Sequence, residues 1–225
     1  MPLRVKLLVF DLDGTLIDST LDLALSVNAT RANAGLGPLD VETISSYVGN
    51  GAKMLVRRAL GPTARERDVQ LGLAFFLRYY YVHMLDNTRL YDGVEEALSE
   101  WRRTGMTMAV LTNKPERFSR DLIAGLGLGG WFAKIYGGNS FATKKPDPYG
   151  LIRIMRELGS GPSETLMVGD SSVDVLTARN AGTRCAGVLY GIRPGDFERH
   201  HADITVEDMR DLCGVVVPAR SSPVG

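Results

Sequence analysis

The chain has 225 residues, 44% of them hydrophobic, and its 26 lysines and arginines balance 26 aspartates and glutamates, so the formal net charge is zero. This length accommodates one or two domains with a buried core. Balanced charge without basic runs argues against a protein that holds nucleic acid or an anionic membrane surface, so any bound anion is expected to be small and to lie in a local pocket.

The hydropathy pattern predicts a cytoplasmic protein. No run of about 18 apolar residues is present, so we expect no transmembrane helix. The apolar stretch before Asp11 is too short for a signal-peptide core. Two cysteines, Cys185 and Cys213, do not make a disulfide framework, and Cys185 lies in an apolar run typical of a buried side chain.

The first part of the chain predicts one strand followed by helices. Lys6 to Phe10 is a short apolar run that predicts a buried strand ending at Asp11. From about Thr20 to Asp86 the pattern is helical, with Leu21 and Leu25 recurring at helical spacing and no convincing strand. The glycines of Gly49-Asn50-Gly51 interrupt this pattern, which resumes in predicted helices at Ala52–Leu60 and Thr63–Asp86.

Beyond Gly93, helices and strands alternate. The predicted helices are 94–103, 116–126, 148–158 and 173–181, and the predicted strands are 107–111, 134–136, 165–168 and 185–188. Such alternation favours a parallel sheet covered on both faces, with the carboxyl ends of the strands along one ligand-binding edge. The predicted fold is α/β: a Rossmann-like, doubly wound parallel core (1–18 and 90–217), an inserted α-helical cap domain (19–89) and a frayed tail (218–225).

Polar side chains follow three of the predicted strands. They are Asp11 and Asp13, Thr112 and Asn113, and Asp170, with Asp174 four residues beyond it. Clustered carboxylates repel one another without a cation, and oxygen ligands of this kind suit Mg²⁺, which also binds substrate phosphate. A lysine from the Lys144-Lys145-Pro146 loop could balance the carboxylates or hold a phosphate oxygen.

A carboxylate beside a metal can attack phosphorus and form an aspartyl-phosphate. Each motif alone has an ordinary interpretation, because aspartate, asparagine and threonine are common in turns and helix caps. Four motifs at four expected loop positions favour catalysis instead. The residues therefore point to metal-assisted chemistry on a phosphate at this edge of the sheet.

The motifs resemble those of haloacid-dehalogenase superfamily phosphatases with a helical cap. The matching residues, in the family's order, are Asp11-Leu12-Asp13-Gly14-Thr15, Thr112, Lys145 before Pro146, and Gly169-Asp170-Ser171-Ser172-Val173-Asp174. The resemblance implies that Asp11 is the nucleophile and a Mg²⁺ ligand, and that Asp13 is the acid–base and binds metal through its carbonyl. It further implies that Thr112 and Asn113 hold phosphate, Lys145 steadies the nucleophile, Asp170 binds Mg²⁺ and Asp174 supports the metal site.

Further segments resemble bacterial phosphoglycolate phosphatases. They are Leu16-Ile17-Asp18-Ser19, Asp22-Leu23, Tyr47-Val48-Gly49-Asn50-Gly51, Leu111-Thr112-Asn113-Lys114-Pro115 and Lys145-Pro146-Asp147-Pro148. This resemblance implies 2-phosphoglycolate as first substrate and Gly49, Asn50 and Gly51 as a cap loop that closes over the site. A pyrophosphatase or a sugar-phosphate or nucleotide phosphatase stays open, and a metal-free dehalogenase or a non-catalytic regulatory protein is less favoured.

Several cap and surface residues have two interpretations at this stage. Lys53 and Arg57 lie on one helical face and either meet a substrate carboxylate or face solvent, which is the favoured interpretation. The aromatic run from Phe75 to Tyr81 predicts a cap core or a cap–core contact. Lys145 is preferred to Lys144 because the family lysine precedes the proline. The expected partner is a small-molecule phosphate, and the sequence leaves monomer and homodimer both open.

Overall fold

The computed structural model of the protein describes residues 3–219. Its strands are β1 (Leu3–Val5), β2 (Leu7–Phe10), β3 (Ile17–Asp18), β4 (Arg89–Leu90), β5 (Thr107–Leu111), β6 (Lys134–Tyr136), β7 (Thr165–Gly169), β8 (Arg184–Val188), β9 (Ile204–Val206) and β10 (Val216–Pro218). Its helices are α1 (Thr20–Asn33), α2 (Val41–Tyr47), α3 (Ala52–Leu60), α4 (Glu66–His83), α5 (Val94–Arg103), α6 (Glu116–Gly125), α7 (Tyr149–Glu157), α8 (Ser172–Ala181) and α9 (Met209–Val215).

The main sheet has six parallel strands in the order β6-β5-β2-β7-β8-β9. Strand β2 is central, with β5 on one side and β7 on the other. The chain order jumps on both sides of β2, which is the arrangement of a doubly wound sheet with its ligand site at the carboxyl edge. The predicted α/β fold class is confirmed.

The two faces of the sheet carry separate hydrophobic cores. Leu7 and Val9 of β2 pack with α7 and α8, whereas Leu8 and Phe10 pack with α5, α6 and α9. Successive strand side chains point to opposite faces. Because β2 is covered on both faces, all of its residues are apolar, and this continuous apolar run is the pattern that predicted the strand.

Four helices, α1 to α4, form the predicted cap segment. Helix α1 packs on α4, and α3 also packs on α4. The chain enters and leaves this segment through β3 and β4, which pair antiparallel with Ile17 opposite Leu90. Entry and exit thus lie side by side, and the described residues between β3 and β4 contain no strand.

Helix α1 lies where the spacing of Leu21 and Leu25 predicted a helix, although these two side chains are 45% and 49% exposed while Leu23 and Val27 are buried. One boundary of the sequence analysis is wrong. The tail was predicted to begin at Pro218, but Pro218 lies in β10 opposite Val5 of β1. Residues 220–225 of that tail lie outside the described residues.

Within residues 3–219, no helix combines the length and apolar character needed to cross a membrane. Cys185 is a buried thiol and Cys213 a half-buried one.

Asp22 in the first turn of α1 joins the two ends of the cap segment. Its buried carboxylate accepts hydrogen bonds from the main-chain N–H groups of Asn87 and Thr88, from the Asn87 amide and from the Thr88 hydroxyl, at 2.7–3.1 Å. Burial by itself would raise the pKa of Asp22, but these hydrogen bonds outweigh it and lower the pKa below its ordinary 3.8.

Asp22→Ala should lower the free energy of unfolding by about 3 kcal/mol, because four donors would lose their acceptor in a buried place. The carboxylate's contribution is full above its unfolded pKa and is lost as pH falls through the depressed folded value. Urea unfolding at neutral and acidic pH measures both effects. Asp68→Ala, which removes an exposed partner of Arg65, is the control and should change nothing measurable. Equal unfolding midpoints for the two variants would contradict this account.

Candidate active site

The predicted site residues meet at the carboxyl edge of β2 and β7. These strands are neighbours, with Phe10 opposite Val168, so Asp11 and Asp170 emerge side by side. Carboxylate oxygens of Asp11, Asp170 and Asp174 lie within 4.8 Å of one another. The pairing of β2 with β7 therefore brings Asp11 next to Asp170 and Asp174, from which it is far apart in sequence.

Lys145 is the cation of this cluster. Its ammonium lies 2.9 Å from Asp11 Oδ1 and 2.6 Å from Asp174 Oδ1, and its side chain is only 2% exposed. Burial alone would lower the pKa of Lys145, but Asp11 and Asp174 outweigh burial and raise it, so the ammonium stays charged. Lys144 points elsewhere, to the carbonyl of Asn50.

Burial raises the pKa of Asp11 to about 6, Lys145 opposes that rise, and Asp174 adds to it. Asp174 has both oxygens engaged: Oδ1 by Lys145, and Oδ2 by the N–H and hydroxyl of Ser171 in a capping box at the start of α8. Asp174 is thus suited to orient Lys145, while Asp11 and Asp170 are better placed to hold a cation.

The acidic cluster fits a divalent cation. Three buried carboxylates share one ammonium, which leaves an excess of negative charge. Asp170 receives one hydrogen bond, from the Ile192 N–H at 2.8 Å, and burial together with Asp174 and Asp11 raises its pKa well above the ordinary value. Oxygen ligands with surplus negative charge are what a hard cation prefers.

Asp13 lies beside this cluster and is held by a residue to which the sequence analysis gave no role. Lys114 Nζ lies 2.8 Å from Asp13 Oδ1, and Ser19 Oγ donates to the same oxygen at 2.5 Å. Lys114 also donates to the Tyr80 hydroxyl at 2.7 Å. The sequence signal that could have identified Lys114 as a site residue is its position directly after Thr112-Asn113, at a predicted strand end.

Thr112 and Asn113 follow β5, next to β2 in the sheet. Thr112 is buried and its hydroxyl accepts the Lys114 N–H at 3.3 Å, which leaves the hydroxyl proton for another acceptor. The Asn113 amide donates to the carbonyls of Gly49 and Lys145. Both amide hydrogens are then taken, so any phosphate contact of Asn113 would fall to its main-chain N–H.

The loop Gly49-Asn50-Gly51 closes the site from the cap side. Asn113 donates to the Gly49 carbonyl, and Lys144 donates to the Asn50 carbonyl at 2.6 Å. Arg193, in the loop after β8, donates to the carbonyls of Ser46 and Val48. Side chains of the core therefore hold the cap through hydrogen bonds to its main-chain carbonyls. Arg193 had no sequence signal, because it lies in an irregular segment outside every motif.

A cavity lies between this loop and the acidic cluster. Its polar and charged lining includes Asp11, Asp13, Thr112, Asn113, Lys114, Asp170, Ser171 and Arg193, and Gly49 and Gly51 face it from the cap. Its apolar wall includes Leu23, Val48, Leu55, Phe76, Leu77, Phe118 and Ile192. The aromatic run of α4 thus reaches the site, since Phe76 and Tyr80 line the cavity while Tyr80 stacks on Phe118 of the core.

Lys53 and Arg57 lie away from this cavity. Both pair with Glu66 at the start of α4, and both side chains are partly exposed. Neither lines the cavity that the described residues enclose. This placement agrees with the solvent-facing interpretation.

Comparison with known proteins gives the same assignment as the fold and the site. The family model for haloacid dehalogenase-like hydrolases matches residues 8–188. The chain is 41% identical over 213 residues to the phosphoglycolate phosphatase of Chromobacterium violaceum, covering 93% of this chain and 95% of the relative. It is 40% identical over 214 residues to phosphoglycolate phosphatase 1 of Pseudomonas aeruginosa, covering 92% of this chain and 78% of the relative.

A solved structure from Haemophilus somnus, described as a predicted phosphoglycolate phosphatase, matches with a TM-score of 0.89 and 30% identity, over 94% of this chain and 97% of that one. A doubly wound sheet with carboxylates at its edge and an inserted helical segment places the protein in the capped α/β class. The chain belongs to the haloacid dehalogenase-like hydrolase family. Within that family it is a phosphoric monoester hydrolase similar to the phosphoglycolate phosphatases.

Gly14 makes room for Asp170. Its φ of 84° is in the left-handed region, and a Cβ there would lie 2.1 Å from Asp170 Oδ2. Gly14→Ala should therefore displace this carboxylate and lower cation affinity or activity roughly 10- to 100-fold. The measurement is activity against titrated metal.

The matched control for Gly14→Ala is Gly35→Ala at the end of α1. Gly35 has a similar φ of 72°, and nothing lies within 4 Å of its added Cβ. It carries the same backbone strain, costing about 1 kcal/mol of stability, without a clash at the site. Full activity in both variants would show that Asp170 does not need its present position.

Proposed function

We propose that this protein is a Mg²⁺-dependent phosphatase that hydrolyses a small organic phosphate monoester through an aspartyl-phosphate on Asp11. The observation that carries the proposal is the convergence of Asp11, Asp170, Asp174 and Lys145 at the edge of β2 and β7. Asp13, Thr112 and Asn113 face the same cavity.

In the proposed reaction, an oxygen of Asp11 forms a bond to phosphorus as the bond to the alkoxide leaving group breaks. Asp13 gives its proton to that alkoxide. Asp13 then takes a proton from water, whose oxygen attacks phosphorus and breaks the bond to Asp11, so phosphate leaves and both carboxyl groups return to their starting states. Lys145 keeps Asp11 oriented, and the Thr112 hydroxyl and Asn113 N–H are placed to bind phosphate oxygens.

Asp11, Asp170 and the main-chain carbonyl of Asp13 would hold Mg²⁺. When bound, Mg²⁺ neutralises the carboxylates and the phosphate so that two anionic groups can approach each other. Asp174 supports the site through Lys145 and Ser171. Glycine at position 14 leaves the space in which Asp170 lies.

2-Phosphoglycolate is the proposed substrate, since similar proteins carry that name and the cavity suits a second negative group. Nε of Arg193 is a buried donor without a hydrogen-bond partner among the described residues, and Arg193 lines the cavity beside Gly49. The two thiols suit the reducing cytoplasm, where we place the protein.

A larger phosphate ester, such as a sugar phosphate, is the second candidate. The apolar side chains named above form a wall of the cavity, and the two carbons of glycolate would cover little of that wall.

Phosphate release should be strongest from 2-phosphoglycolate in a panel with sugar phosphates, nucleotides and pyrophosphate, and chelator should abolish it. Preference for a sugar phosphate would leave the proposed mechanism unchanged and would indicate that the apolar wall of the cavity contacts the leaving group. Release that survives complete removal of divalent cations would overturn the proposed roles of Asp11 and Asp170.

Asp11→Asn should abolish turnover, because an amide does not attack phosphorus. Asp13→Ala should cost roughly 10²- to 10⁴-fold in kcat, the usual contribution of acid–base help. Mass spectrometry of acid-quenched protein should find one added phosphoryl group during turnover, absent in Asp11→Asn. A full rate in Asp13→Ala would remove that residue from the mechanism.

A further inference from the structure

The Lys114 ammonium is buried and donates its hydrogen bonds to other side chains of the protein. Its side chain is 4% exposed, and it donates to Asp13 Oδ1 at 2.8 Å, to Asp13 Oδ2 at 3.1 Å and to the Tyr80 hydroxyl at 2.7 Å. An ammonium has three hydrogens, and three acceptors surround this one. Both oxygens of Asp13 are thereby fixed from one direction.

Tyr80 belongs to the cap, in α4, and its ring is held rigidly. The side chain is 2% exposed, with its ring stacked on Phe76 of the same helix at 5.5 Å and on Phe118 of α6 at 5.8 Å between centroids. Rings packed on both sides leave the hydroxyl little freedom. The position of Lys114 Nζ is therefore set by a cap residue as well as by Asp13.

We propose that Lys114 is the positioning residue for the acid–base carboxylate Asp13, and that the Tyr80 hydroxyl of the cap holds Lys114 in place. The proposal rests on the function proposed above. Asp13 must give a proton to the leaving oxygen and later take one from water, so its oxygens must point at the reacting atoms within hydrogen-bond reach. A flexible aspartate without this support would spend part of its time misdirected.

The alternative role for Lys114, recognition of a substrate carboxylate, fits the contacts less well. To bind a substrate anion, the ammonium would have to give up Asp13 or Tyr80, since its three hydrogens are in use. Leaving Asp13 in a largely buried place without its cation is costly. Arg193, whose Nε has no hydrogen-bond partner within residues 3–219, is the better candidate for that contact.

This role has a signature that a structural role lacks. Protonation of the leaving group matters for an alkoxide but not for p-nitrophenolate, which departs without a proton. A defect in positioning Asp13 should therefore slow phosphoryl transfer from alkyl phosphates and spare the first transfer from p-nitrophenyl phosphate. Damage to the metal site or the fold would slow both substrates equally.

The test compares Tyr80→Phe and Lys114→Met with Tyr79→Phe in the full chain with Mg²⁺. Tyr79 is the control, because the same change is made one residue away, on a ring that packs against Phe75 and His83. For 2-phosphoglycolate, we expect Tyr80→Phe to lower kcat roughly 3- to 10-fold, because it removes one hydrogen bond. We expect Lys114→Met to lower kcat on the order of 10²-fold, because Asp13 loses its positioning residue. The p-nitrophenolate burst in stopped flow should stay within about twofold of wild type, because this leaving group departs without a proton.

In the Asp13→Asn background, adding Tyr80→Phe should cost nothing further, because its effect acts through the Asp13 carboxylate. Equal slowing of both substrates would overturn the proposal, as would a KM increase confined to 2-phosphoglycolate, which would assign Lys114 to the substrate. Tyr80→Phe is nearly isosteric and carries the test if Lys114→Met does not fold. A wild-type protein that releases no phosphate from any ester would instead refute the proposed function itself.

Discussion

The buried ion cluster around Lys145 is the constraint on which the site depends. Parallel pairing of β2 with β7 brings Asp11 and Asp170 together, and the capping box of α8 brings Asp174 beside them. Burying three carboxylates is tolerable only with cations nearby. Lys145 supplies one charge from a separate loop, and the remaining excess of negative charge suits a divalent ion. Strand order, helix capping and loop position thus all act to place buried carboxylates close to a positive charge.

The cap contacts this centre through hydrogen bonds to its main chain, through the hydrogen bond from Lys114 to Tyr80, and through aromatic contacts with Phe118. Asn113, Lys144 and Arg193 all donate to carbonyls of the loop before α3, while Tyr80 packs on Phe118. These hydrogen bonds are accepted by main-chain carbonyls and so do not depend on which side chains the loop carries. Substitutions in the loop can therefore change the lining of the cavity without removing the bonds that hold the cap. We propose that this cap excludes water during reaction and opens for exchange, as lids over active sites commonly do.

Much of the fold could be predicted from local pattern. Leu7 to Phe10 is apolar on every residue because β2 is covered on both faces, and the run of helices before β4 has no alternation that would suggest a strand. The inward face of α1 has no such pattern. Its buried side includes Asp22, Ser26 and Thr30, polar residues that a hydrophobicity pattern assigns to solvent. The partners of Asp22 are Asn87 and Thr88, outside the helix, whereas Thr30 donates to the Ser26 carbonyl within it, so for Asp22 only tertiary contacts make burial favourable.

By itself, the sequence determined the class of fold and the positions of Asp11, Asp13, Thr112, Asp170 and Lys145 at loop starts, because strand ends and turn residues are local signals. Tertiary structure alone decided what these side chains touch. The pairing of Lys114 with Asp13 spans 101 residues and that of Lys114 with Tyr80 spans 34, and no periodicity encodes such contacts. Likewise, Arg193 reaches the cap loop only because β8 lies beside β7 in the sheet. The types of side chain at the site are thus local signals of the sequence, whereas the orientation of Asp13, the proposed acid–base group, depends on packing.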